Sequence, residues 1–230
     1  MMKTLGLIGG MSWESTVPYY RQINEAIKAS LGGLHSAKLV LYSVDFDEIA
    51  KLQHAGDWDA AGRVLADAAV RLEGAGAEAL VICANTMHKV APAIEAAVRI
   101  PVLHVVDAVA EDIRAAGFHK VGLLGTRFTM EQPFYAERLA SHGLETLIPQ
   151  QADRELVHRV VYEELCLGKI VDTSRDAYRR IMADLVAQGA QAIILGCTEI
   201  AMLVSAQDAA VPLFDTTAIH ARKAAEWMLA

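Results

Sequence analysis

The sequence predicts a doubly wound α/β protein of two pseudo-symmetric lobes with parallel sheets, and three observations carry that expectation. Short, nearly continuous apolar runs alternate with longer amphipathic stretches, the pattern of parallel strands covered by helices on both faces. Several of the amphipathic stretches end in Gly, a common residue just past a helix end. The chain also echoes itself. "KTLGLIGG" resembles "HKVGLLGT", with Gly9 and Gly125 116 positions apart, and "GAEALVICANT" resembles "GAQAIILGCTE", with Cys83 and Cys197 114 apart.

In chain order, β-branched and aliphatic runs place strands at 4–10, 37–45, 78–85, 101–107, 120–126, 144–150, 192–198 and 211–216. Apolar residues recurring every three or four positions place helices at 14–31, 58–76, 107–117, 131–143 and 174–190. "IPVLHVVD" faintly resembles "VPLFD", which extends the echo. No Pro/Gly/Ser-rich linker divides the lobes, so they are expected to exchange an element. The first lobe is assigned to 1–99 plus 208–230 and the second to 100–207. Ligands of such folds sit at the carboxyl ends of the strands, so the active site is expected in a cleft between the lobes.

Composition narrows the function. The 230 residues are 53% apolar and 21% charged, as in an ordinary globular protein, with a formal net charge of −7. No block of Lys or Arg offsets that charge, which argues against a nucleic-acid partner. The longest uncharged run, Leu185 to Thr198, has 14 residues, short of the about 20 that cross a membrane. "MMKTLGLIGGMSW" reads as a first strand and Gly-rich turn, not as a signal peptide. Three cysteines without framework spacing point to reduced thiols and a cytoplasmic location.

Cys83 and Cys197 each end a buried strand and each precede a Thr within three residues. The plain reading of either one is a small buried apolar residue. Two at equivalent points of two half-repeats favour chemistry instead. Inversion at a carbon acid needs a base on one face and an acid on the other, and a thiolate–thiol pair supplies both. A free thiol titrates near about 8.5, and a following helix start is expected to help one of them ionise. Zinc lacks support, because no C-x-x-C or H-x-x-x-H supplies further ligands. Cys166, in "EELCLGK", reads as a mid-helix core residue.

The residues after the thiols fit an amino acid. Asn85, Thr86, Thr198 and Glu199 bring short polar groups to helix starts, and backbone N–H groups such as that of Ala84 are placed to cradle an α-carboxylate. Asn and Thr are equally ordinary helix caps. Glu199 is suited to a substrate ammonium or to orienting Cys197. "GLIGGMSWES" fails as a dinucleotide fingerprint or a P-loop, so the Gly pair is read as letting backbone approach the site. In "GTRFTM", Thr126 and Thr129 are able to donate to an anion. His88 and His104 are read as structural.

Taken together, "GLIGGMSWEST" (6–16), "GGLHSA" (32–37), "SVDF" (43–46), "CANTMHKV" (83–90), "LLGTRFTMEQPFY" (123–135) and "GCTEI" (196–200) resemble the aspartate/glutamate racemase superfamily over nearly the whole chain. The likeness is strongest to its aspartate-racemase and broad-specificity amino-acid-racemase branch. That resemblance implies a homodimer acting on small-molecule amino acids without pyridoxal phosphate, other cofactor or metal. It implies Cys83 and Cys197 as the acid–base pair, with Met11, Gln53, Asn85, Thr86, Thr126, Thr129, Thr198 and Glu199 lining the substrate site. Met11 and Glu199 stand where glutamate racemases of the superfamily usually carry Asp and His, which argues against strict glutamate specificity. Lys169, in "LGKI", is the candidate cation for a side-chain carboxylate, while Gln53 is neutral. Maleate isomerase-like or hydantoin racemase-like chemistry on the same fold, and a non-catalytic amino-acid-binding module, are the alternatives.

Overall fold

A computed structural model describes residues 1–230, which divide into two compact units: Met1–Val105 with His220–Ala230, and Val106–Ile219. The first contains β1 (Leu5–Gly9), α1 (Trp13–Leu31), β2 (Leu39–Ser43), α2 (Phe46–Ala55), α3 (Trp58–Gly74), β3 (Ala79–Ile82) and α4 (Ala91–Ala97). Helix α5 (Val105–Ala115) opens the second. There follow β4 (Lys120–Gly125), α6 (Arg127–Glu131), α7 (Pro133–Ser141), β5 (Glu145–Leu147), α8 (Gln151–Glu163), α9 (Asp172–Ala187), β6 (Ala192–Gly196), α10 (Ile200–Leu203) and β7 (Leu213–Asp215). Helix α11 (Thr216–Leu229) begins in the second unit and ends in the first.

Both sheets are wholly parallel. The first runs β2-β1-β3 and the second β5-β4-β6-β7. The echo in the sequence is therefore an echo in topology, with β1 matching β4 and β3 matching β6. Gly6 and Gly122 occupy the same place on the two central strands. A Cβ on Gly6 would meet Leu80 Cδ2 at 2.8 Å and Leu72 Cβ at 3.3 Å; one on Gly122 would meet Ile193 Cδ1 at 2.6 Å and Leu185 Cβ at 3.3 Å. Each glycine lets a helix leucine, Leu72 of α3 or Leu185 of α9, settle onto its sheet.

Alternation along β1 splits the first unit's core into two layers. Leu5 and Leu7 face Tyr19, Ile23, Ile27, Ala221 and Met228, while Ile8 faces Ile49, Leu65, Leu72 and Met87. Every one of these side chains is at most 1% exposed, so each contributes the full transfer benefit of an apolar group, about 1.5–3 kcal/mol for a Leu or Ile.

The expected strand at 101–107 is not one. Only Val102 bridges β3, at Leu80, and the chain turns helical at Val105. Pro101 offers a carbonyl but no N–H: Leu80 N donates to Pro101 O at 2.9 Å, and Leu103 N to Leu80 O at 2.8 Å. Pro212 does the same before β7, accepting from Ile193 N at 3.0 Å, so this short bridge is the counterpart of β7. The expected helix at 131–143 is broken at Pro133, whose ring holds Gln132 extended. The sequence patterns place no helix at α2, α6, α8 or α11. The unit boundaries also move. β7 pairs with β6, so 208–219 belongs to the second unit, and the Val102 bridge keeps 100–105 in the first.

Gly10, at the turn after β1, has φ +91, and a Cβ there would lie 2.2 Å from Val44 O. Gly33 has φ +57 and open space around it. Gly33→Ala should lower stability by about 1 kcal/mol, from left-handed strain alone. Gly10→Ala should lower it by more than about 2 kcal/mol, since backbone must also move. Urea unfolding midpoints of the two variants measure the difference.

Candidate active site

Each unit places one cysteine on the first residue beyond the strand next to its central strand. Cys83 follows β3, and its N–H donates to Ile8 O at 2.9 Å. Cys197 follows β6 directly. Both thiols are free and buried.

In the first unit, the Gly-rich turn is pinned by Thr16, whose Oγ1 accepts from Gly10 N at 2.8 Å and donates to Ser12 O at 3.0 Å. Ser15 Oγ donates to Ser12 O at 2.8 Å and lies 3.5 Å from Cys83 O, tying this turn to the cysteine's backbone. Met11 and Ala84 share one apolar cluster with Met87. Gln53, 3% exposed, donates from Nε2 to Met87 Sδ at 3.0 Å. Asn85 and Thr86 are buried and lead into a 3-10 turn, Thr86–Val90.

Behind this turn lie three buried histidines. His88 Nε2 accepts from Val105 N at 3.2 Å, so Nδ1 carries the proton given to Ala84 O at 2.8 Å. His220 donates from Nε2 to Leu103 O at 2.7 Å and accepts at Nδ1 from Tyr19, at 2.9 Å. The ring of His104 lies 4.4 Å from that of His88. His88 and His104 thus buttress the Cys83 turn, in keeping with the structural reading. His220 and Tyr19 belong to the same buttress and carry no local sequence signal.

In the second unit, Gly125 and Gly196 are register partners at the ends of β4 and β6. A Cβ on Gly125 would lie 2.9 Å from Gly196 O and 3.2 Å from Thr129 Cβ. This close approach seats Thr126, which caps α6, and Thr129, whose hydroxyl lies 3.3 Å from that of Thr126, beside the strand end carrying Cys197. Glu199 is 3% exposed. Its Oε2 accepts from Cys197 Sγ at 2.9 Å and from Thr198 Oγ1 at 2.6 Å.

Cys166 is not a mid-helix core residue. It sits half-buried in a 3-10 turn, Leu165–Leu167, because α8 ends at Glu163 and Gly168 reverses the chain at φ +69. Its Sγ donates to Glu199 Oε1 at 3.7 Å. Gly168, two residues on, was the signal for this turn. Lys169 is exposed, and its hydrogen bond to Glu164 O is through backbone N–H.

Burial opposes the expected help from helix starts. A 3-10 turn that runs on into α4 follows Cys83, and the four-residue α10 follows Cys197. Burial alone pushes the Cys83 thiol far above its ordinary range. Burial, and then the Glu199 carboxylate, push Cys197 the same way. Tyr162 is held protonated by burial and by its nearness to Cys197, Cys166 and Glu199.

A parallel α/β protein with a buried thiol at the same strand end of each half has the makings of a carbon-acid isomerase. Residues 8–224 match the family model described as Asp/Glu/hydantoin racemase, and the chain belongs to that family of isomerases. It is 23% identical to the broad-specificity amino-acid racemase RacX of Bacillus subtilis (strain 168), over 98% of each chain. The fold is that of a candidate Asp/Glu racemase from Yersinia pestis, at TM-score 0.93 and 63% identity over all of both chains. An aspartate racemase homologue from Pyrococcus horikoshii OT3 is similar at TM-score 0.86 and 35% identity, again over all of both chains. No helix is long and apolar enough to cross a membrane.

A thiol whose folded pKa is raised stays protonated where the unfolded thiol, ordinarily near 9.0, has ionised. The unfolded state then binds fewer protons, so stability falls as pH rises above about 9, by up to about 1.4 kcal/mol per pH unit per thiol. Denaturant titrations from pH 8 to 10 should show this slope, and Cys83→Ala should reduce it.

Proposed function

We propose that the protein is a cofactor-independent amino-acid racemase in which Cys83 and Cys197 exchange a proton at Cα from opposite faces. The observation that carries this reading is the buried free cysteine at the matching strand end of each half, within a chain of a racemase family. One sulfur, as thiolate, takes the α-proton. The other, as thiol, gives its proton to the opposite face, and the two have then swapped states. Donors beside the thiols, from Asn85, Thr86, Thr126 and Thr129, hold the α-carboxylate and stabilise the charge that develops on it. Glu199 lies within hydrogen-bonding reach of Cys197 and is suited to accept its proton or to face the substrate ammonium.

Buried, neutral Gln53, with Lys169 as one candidate cation without a second, supports a range broader than acidic amino acids. RacX is named for such breadth. A reducing cytoplasmic location suits three cysteines none of which forms a disulfide. A homodimer suits the exposed Trp13, Val17 and Tyr20, which share one face of α1. Light scattering at micromolar concentration should give twice the chain mass, and Val17→Glu with Tyr20→Glu should halve it.

The decisive experiment follows Cα proton exchange and inversion in heavy water over a panel of amino acids. Wild type should exchange and invert. Cys83→Ser and Cys197→Ser should each lose at least about 10³-fold in inversion. Full-rate inversion by either variant sinks the proposal. A substrate–sulfur adduct trapped by mass spectrometry would point instead to the isomerase reading, in which one thiol attacks as a nucleophile.

A further inference from the structure

Three donors from two separate segments converge on one carboxylate in the second unit. Cys197 Sγ and Thr198 Oγ1 share Glu199 Oε2, at 2.9 and 2.6 Å, while Cys166 Sγ reaches Oε1 at 3.7 Å. Cys197 and Thr198 lie in the turn that leaves β6; Cys166 lies in the turn between α8 and α9. A carboxylate this buried needs such donors, because a polar group left unmet away from water is costly. The torsion that sets its plane is soft. Donors on one oxygen alone leave the plane loosely fixed, and a donor on the second oxygen fixes it.

We propose that Cys166 is a positioning residue for racemisation, acting through Glu199 on Cys197. The inference rests on the racemase reading above. The Cys166 thiol holds Oε1 so that Oε2 stays directed at Cys197, which keeps the carboxylate aligned. A serine at 166 retains an O–H donor, whereas an alanine retains none. Without a donor on Oε1 the carboxylate plane turns more freely, so activity should fall in the alanine variant and be held by the serine one.

The test measures kcat/KM for wild type, Cys166→Ala, Cys166→Ser, Glu199→Gln and Cys166→Ala with Glu199→Gln. Because the two enantiomers are equally stable, kcat/KM must change equally in both directions, and one direction suffices. Cys166→Ala should lose about 3- to 10-fold. Cys166→Ser should remain within about 3-fold of wild type. In the Glu199→Gln background, Cys166→Ala should cost nothing further. The infrared S–H stretch of Cys166, assigned by its loss in Cys166→Ser, should move in Glu199→Gln, a readout independent of turnover. A wild-type rate in Cys166→Ala overturns the proposal, as does an equal loss in the Glu199→Gln background. A Cys166 band indifferent to Glu199→Gln overturns the positioning while leaving racemisation standing. A wild type inert toward every amino acid overturns the racemase reading and, with it, this role.

Discussion

The register of the two innermost strand pairs is the constraint on which the rest depends. Ile8 pairs with Ile82, and Gly125 with Gly196, and those pairings decide which residue is first past each strand. A slip of one residue would turn every side chain of the strand to the opposite face and carry Cys83 or Cys197 away from its polar neighbours. In the second unit the register also requires bare backbone. Cβ atoms on Gly125 and Gly196 would press on Gly196 O and Leu124 O at 2.9 and 2.8 Å. Only glycine at both places lets β4 and β6 end side by side with Thr129 packed against them.

The same burial that preserves this register shapes the chemistry. Both thiols are raised by desolvation, yet their surroundings differ. Cys83 is perturbed by burial alone, while Cys197 has a carboxylate at hydrogen-bond distance. The two halves therefore repeat a strand pattern without repeating an electrostatic environment.

Much of this was legible in the chain, because repetition is visible without coordinates. The two glycine turns, the two strand-end cysteines and the parallel α/β class all follow from motifs that recur about half a chain apart. The second carboxylate oxygen's partner was not legible. Cys166 lies in an apolar-looking run, and only the reversal at Gly168 exposes it to Glu199 from 33 positions away. Helix α2 carried readable signals, a capping Asp45 and a left-handed Gly56, but is short. Helix α8 is polar over most of its length and is recognised through its packing on β4 and α6. The segment 101–107 has strand composition, yet Pro101 and the onset of α5 leave it one bridge long. His220 and Tyr19 meet from opposite ends of the sequence, a pairing that no local pattern encodes.

That meeting of the ends has a temporal side. The first unit's inner layer includes Ala221, Ala224, Ala225 and Met228 against Leu5, Tyr19 and Ile23, and Lys3 N donates to Met228 O at 2.9 Å. During translation, strands β1 to β3 emerge with one flank bare and wait for more than a hundred residues of the other unit. The half made first is thus the half finished last. In the interval its uncovered aliphatic flank is a natural client for chaperones on the ribosome.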